Sequence, residues 1–161
     1  MIRLTAVVIV IASLAACSGG SASLNLPRYF DALATQTTAL DASYKPRANP
    51  VDPATPETWR SIEANLREFA AALDALRAPA DARDGQHDLA VASRNLADDA
   101  HRAASRLGAQ PDGGLTSDAD RVARDRGEWE RACHSLQDLA LARRIDVDLR
   151  CVTALHSAAW P

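Results

Sequence analysis

Residues 55–76 read TPETWRSIEANLREFAAALDAL, and their pattern decides the fold class. Trp59, Ile62, Leu66, Phe69, Leu73 and Leu76 recur at intervals of three, four, three, four and three, which places all six on one stripe of a helix. Arg60, Glu63, Asn65, Arg67, Glu68 and Asp74 fall off that stripe. The segment also carries its own start signal. Thr55 caps the first turn, Pro56 occupies a position whose amide hydrogen has no helical partner, and Glu57 complements the positive helix end. A helix this amphipathic must bury its stripe against other helices, so an all-α fold is expected.

The same rhythm continues on both sides. Upstream, Leu26, Phe30, Leu33, Thr37, Leu40 and Tyr44 predict a first helix. Between the two helices, residues 45–56 hold prolines at 46, 50, 53 and 56 and must form a crossing loop, since proline lacks the helical donor and restricts its predecessor. Downstream, Ala78-Pro79 breaks the pattern, and a third helix is expected over residues 80–107 with Leu89, Ser93, Leu96, Ala100, Ala103 and Leu107 inward. Gly85 weakens its first turns. Residues 108–115, with Pro111 and Gly113-Gly114, form the next break.

A fourth helix opens at Thr116 or Ser117, ahead of Asp118 and Asp120. It carries Val122, Trp129, Cys133, Leu136 and Ala140, and it ends near Arg143-Arg144. Ile145, Asp146, Val147, Asp148 and Leu149 then alternate as an extended strip. A helix advances ~17 Å from Cys133 to Arg144 at 1.5 Å per residue. An extended return can cover ~23 Å. The strip can therefore fold back and join Cys151 to Cys133. The resulting expectation is an antiparallel four-helix bundle with stripes inward, alanine allowing close approach, and an extended C-terminal segment tied back by that disulfide.

The start of the chain carries an address. Arg3 precedes an apolar run over residues 4–12, followed by Leu14-Ala15-Ala16-Cys17 and the small-residue stretch Ser18-Gly19-Gly20-Ser21. The apolar run is too short for a permanent bilayer span. The order Leu, Ala, Ala, Cys resembles the lipobox of bacterial lipoproteins, which implies that the Cys17 thiol is modified with diacylglycerol bearing palmitate-type chains and that Cys17 becomes the first mature residue. On this reading residues 1–16 are a lipoprotein signal peptide, 17–25 the acylated cysteine with a flexible tether, and 26–161 the helical domain. Each buried methylene of an acyl chain contributes ~0.8 kcal/mol, so two chains hold firmly where one does not. Removal of residues 1–16 leaves 145 residues, enough for one ordinary domain.

Composition narrows the partners. Beyond residue 16 the balance is 17 basic against 21 acidic residues, a mild acidity that opposes nucleic-acid binding and a polybasic membrane patch. Lys45 is the single lysine, and arginine with abundant alanine fits the coding bias of a GC-rich genome of the actinobacterial kind. With Cys17 assigned to lipid, Cys133 and Cys151 remain as an even pair suited to oxidising surroundings outside the cytoplasm.

Chemical motifs are sparse. No CxxC, GxSxG, GxGxxG or Walker loop occurs, no histidine completes a Glu-x-x-His pair, and methionine is absent after Met1. His87 and His101 share an azimuth but lie ~21 Å apart on a helix, so they cannot ligate one metal alone and read as surface or bundle-edge residues. His134 beside Cys133 suggests a thiol and imidazole pair, opposed by the ~100° between adjacent helical positions. Asp98-Asp99 with His101 and Arg102 offers a cation site or, more plainly, a solvated face. His156 in the tail is free to meet any of these. Trp59, Ile62, Leu66, Phe69, Leu73 and Trp129 form either the core or the lining of a small apolar pocket. No cofactor and no metal are expected.

Tyr29-Phe30, Leu33 and Leu40-Asp41, together with Leu73, Leu76, Pro79, His87 and Leu89-Ala90, resemble patterns of small uncharacterised bacterial lipoproteins with helical domains. The resemblance implies export, helicity and anchoring, and brings no active residues. Two functions are expected from these readings. The first is a non-enzymatic binding or structural module on the outer face of the membrane, meeting an envelope protein or polymer through a helical surface, with an apolar patch around Trp160 and Leu155. The second is a carrier holding a small apolar ligand between its helices, which requires a cavity of several hundred Å³.

Overall fold

A computed structural model describes residues 25–44, 55–109, 116–152 and 155, with the backbone alone at 116–118. The expected signal peptide, Cys17, the expected tether and connecting segments, Trp160 and His156 lie outside the described residues. Four α-helices follow in order: α1 over Leu26–Tyr44, α2 over Pro56–Ala75, α3 over Arg83–Ala109 and α4 over Thr116–Ala142. None of them is long and apolar enough to cross a membrane.

Local chemistry explains the boundaries. The Asn25 side chain accepts the Arg28 amide at 3.1 Å to cap α1, and Thr55 Oγ1 accepts the Thr58 amide at 3.2 Å to cap α2. At the end of α2, Gln86 Nε2 donates to the carbonyls of Leu73 at 2.7 Å and Leu76 at 3.0 Å, closing acceptors that the helix leaves open. The α-helix of α3 starts slightly later than its sequence suggests, because Ala80–Ala82 first forms a 3-10 turn in which the Ala82 amide reaches the Pro79 carbonyl at 3.0 Å. Helix α4 stops in a Schellman arrangement. The Ile145 amide reaches back to Ala140 and the Arg144 amide to Leu141, both at 2.9 Å, with Arg144 in the left-handed region at φ 58°.

Cross-helix pairs fix the directions. Asp74 with Arg94, Arg67 with Asp98 at 2.8 Å, and Glu63 with His101 at 3.1 Å run oppositely along α2 and α3, so this pair is antiparallel. Ser93 with Trp129 and Asp99 with Arg121 set α3 antiparallel to α4 in the same way. Helix α1 packs against α2. The stripes point inward: Trp59, Ile62, Leu66, Phe69 and Leu73 of α2 meet Tyr29, Phe30, Leu33 and Leu40 of α1, Leu89 and Leu96 of α3, and Trp129 and Leu136 of α4 in one buried cluster. Each such Leu or Phe contributes ~1.5–3 kcal/mol by leaving water.

Alanine sets the spacing of the bundle. Ala90, Ala92, Ala97, Ala100, Ala103 and Ala104 of α3 are all buried. Gly85 takes this furthest: a Cβ there would stand 3.0 Å from Leu136 Cδ2, so the glycine that weakens the start of α3 also lets α4 close over it.

The chain then returns along α4. Gln137 holds residues 147–149 with both ends of its amide, Nε2 donating to the Val147 carbonyl at 2.7 Å and Oε1 accepting the Leu149 amide at 2.9 Å. Cys133 and Cys151 are joined by a disulfide. One residue earlier, Arg150 Nη1 donates to Asp41 Oδ2 at 2.9 Å, which ties the returning strap to α1.

Candidate functional site

The residues singled out as core or pocket resolve into core. Trp59, Leu66, Leu73 and Trp129 are completely buried, Ile62 and Phe69 nearly so, and the Phe69 and Trp129 rings stand 6.3 Å apart in a tilted contact. The Trp129 indole donates to Ser93 Oγ at 3.1 Å, and that hydroxyl in turn donates to the Leu89 carbonyl at 2.7 Å. Ser93 thus earns its inward position by satisfying a buried tryptophan. Large aromatic rings fill the space between the helices.

The histidines are dispersed. His87, His101 and His134 are exposed, and His101 Nδ1 pairs with Glu63 Oε2 at 3.1 Å. Burial pushes the Glu63 carboxyl upward, but hydrogen bonds from His101 and Arg67 outweigh it and hold the group below the ordinary range. His134 has no thiol to activate, because Cys133 is oxidised. No group of three or more His, Cys, Asp or Glu among the described residues is placed to hold a metal ion.

Asp98 and Asp99 part company. Asp98 is exposed and meets Arg67, as a solvated face requires. Asp99 is a correction to that reading. Its side chain is 0% exposed, and its Oδ1 accepts from Arg121 Nε of α4 at 2.6 Å and from Arg102 one turn along α3. Asp125, one turn beyond Arg121, is also nearly buried. Burial first, and then the charge of Asp99, push the Asp125 carboxyl above the usual range. Sequence reasoning missed this cluster. The signal that survives in hindsight is the spacing of Arg121 and Asp125 at i, i+4, which shares one helical face.

Leu155 is a second correction. It is fully buried in the common core, so it contributes nothing to an exposed patch. The exposed large apolar side chains among the described residues are Val91, Leu141 and Val152. Val91 lies on a groove of about 330 Å³ between α3 and α4, lined also by Asp88, Ala92, Glu128, Arg131 and Ser135. A second groove of about 170 Å³ runs between α1 and α2, over Leu40 and Phe69 with Gln36, Ser43, Asn65 and Glu68 at its edges. Compared with protein-family models, curated proteins and solved structures, the chain matches none of them.

Proposed function

We propose that this protein is a lipid-anchored envelope component that acts without catalysis, binding a protein or polymer partner through the outer face of its bundle. The observation that carries the reading is the filled interior. Trp59, Leu66, Leu73 and Trp129 are fully buried between the helices where a carried apolar ligand would sit, and the α3/α4 and α1/α2 grooves open at the surface. The α3/α4 groove combines an apolar floor at Ala92 and Ala132 with Val91 at its rim and charges of both signs at Asp88, Glu128 and Arg131. Such a mixture suits a partner with both apolar and polar contacts.

Two experiments test the two halves of this reading. For anchoring, Cys17→Ala expressed in a native-like host releases the protein from membranes on fractionation. A variant bound to the wild-type extent rejects the lipoprotein assignment. For binding, a photo-crosslinking residue at Val91 or Ser135 yields a discrete adduct in the native envelope, absent when the probe sits at exposed Arg60 and lost on Arg131→Glu. Native mass spectrometry of the extracted protein showing a stoichiometric small apolar ligand would instead favour a carrier.

A further inference from the structure

The buried carboxyl groups between α3 and α4 play no part in a surface docking function, and their arrangement poses a separate question. Both charge partners of Asp99 reach the same oxygen, Oδ1. Its Oδ2 is buried and has no hydrogen-bond donor. An acceptor left in this state costs its full desolvation penalty. The neighbour within hydrogen-bonding reach is the carboxyl of Asp125, whose side chain is 12% exposed. Two ionised carboxylates cannot satisfy each other, whereas a protonated one donates to its neighbour.

We propose that Asp99 and Asp125 share a single proton across the α3/α4 seam, and that withdrawal of this proton as pH rises loosens the packing of the two helices. The proton supplies the donor that Asp99 Oδ2 otherwise lacks. Four charged groups face the pair. From α3 comes Arg102; from α4 come Arg121, Arg124 and Glu128. Arg102 and Arg121 both donate to Asp99 Oδ1. Arg124 approaches Asp125 Oδ1 only to 3.5 Å and is 64% exposed, so solvent screens much of its attraction. Glu128 adds a like charge one turn further on and opposes ionisation of Asp125. The proton therefore belongs to the pair, with Asp125 as its seat.

A group whose folded pKa lies above its unfolded value contributes stability that is complete below the unfolded value and disappears as pH rises through the folded one. The contribution of Asp125 to the seam is therefore lost as pH rises through its raised folded value. This separates it from the surface pair of Glu63 and His101, where the lowered Glu63 carboxyl contributes stability that is lost as pH falls.

Thermal unfolding of the full chain across acid to neutral pH tests the proposal, using wild type, Asp125→Asn and the exposed control Asp98→Asn. The asparagine at 125 keeps a donor for Asp99 at every pH. Its melting temperature relative to wild type is expected to climb as pH rises, while the Asp98 control shows no such trend. Parallel curves for wild type and Asp125→Asn would overturn the proposal. A direct readout on wild type removes any dependence on the variant's folding: the side-chain carboxyl carbon of Asp125, followed by NMR, should titrate above an ordinary aspartate. Titration in the ordinary range overturns it equally.

Discussion

The phenol oxygen of Tyr29 is buried, and no hydrogen-bond partner reaches it. Burial also pushes its pKa well up, since the charged form has no solvent to meet. The ring is well placed, edge-on to Phe30 at 5.2 Å, so the hydroxyl alone is the liability. Tyr29→Phe should therefore stabilise the fold by ~1 kcal/mol or more, as a rise in chemical-denaturation midpoint. Arg144 presents a backbone liability of similar size. It holds φ 58° to complete the Schellman turn, a conformation that costs a residue with a Cβ ~1–2 kcal/mol. The side chain is exposed, so Arg144→Gly relieves that strain with little lost contact and should raise the same midpoint, partly offset by glycine's greater freedom in the unfolded chain. Lower stability in both variants would show that the two side chains have roles the described contacts do not reveal. Neither liability is visible in the sequence, because a residue's unpaired oxygen or positive φ depends on what the finished fold brings near it.

At the scale of the element, periodicity carries nearly all the information. Residues 55–76 read as a helix because their cap, first-turn proline and stripe agree, and the stripe is the buried face of α2. Leu66→Ala and Phe69→Ala should each cost ~2–5 kcal/mol, and Arg67→Ala on the exposed side far less, as measured by thermal or urea unfolding. Unchanged melting for both stripe variants would contradict the packing described above. The strap was legible for a different reason. Its alternation and the spacing of Cys133 and Cys151 allow a return path of the right length, and the disulfide then selects it. Closing a segment of 18 residues restricts the unfolded chain by ~3 kcal/mol on a loop-entropy argument, so Cys133→Ala with Cys151→Ala should lower stability by about that amount. Proton exchange at the Leu149 amide should accelerate before exchange in α2 or α3, since Gln137, the Arg150–Asp41 pair and the burial of Leu149 then hold the strap without a covalent link. What periodicity leaves open is visible at Asp98 and Asp99. Adjacent helical residues point ~100° apart, and which of two aspartates turns inward depends on where α4 docks.

The whole molecule is held together unequally. Helices α2, α3 and α4 form an antiparallel sheaf stitched by exposed ion pairs between α2 and α3 and a buried one between α3 and α4, whereas α1 joins it mainly through apolar contact with α2 and through the buried carboxylate of Asp41, which meets the strap. The sequence foretold the sheaf, because each of its stripes is self-evident, but it did not foretell that the C-terminal segment would hold the first helix. That link joins residues separated by 109 positions, and no local pattern announces it. Asp41→Ala should cost ~1.5–3 kcal/mol in global stability, read by denaturant titration, because it removes a hydrogen bond between charged groups.

The position of this clamp along α1 has a mechanical consequence. Under the anchoring proposed above, a tether ahead of α1 would pull at the Leu26 end, whereas Arg150 grips the helix near its other end, at Asp41. Tension entering at Leu26 is thus borne first by Tyr29 and Phe30 and last by the clamp, behind which the disulfide passes the load covalently into α4. Under the proposed anchoring, the first helix would be the part that yields to traction ahead of the cross-linked body carrying the α3/α4 groove.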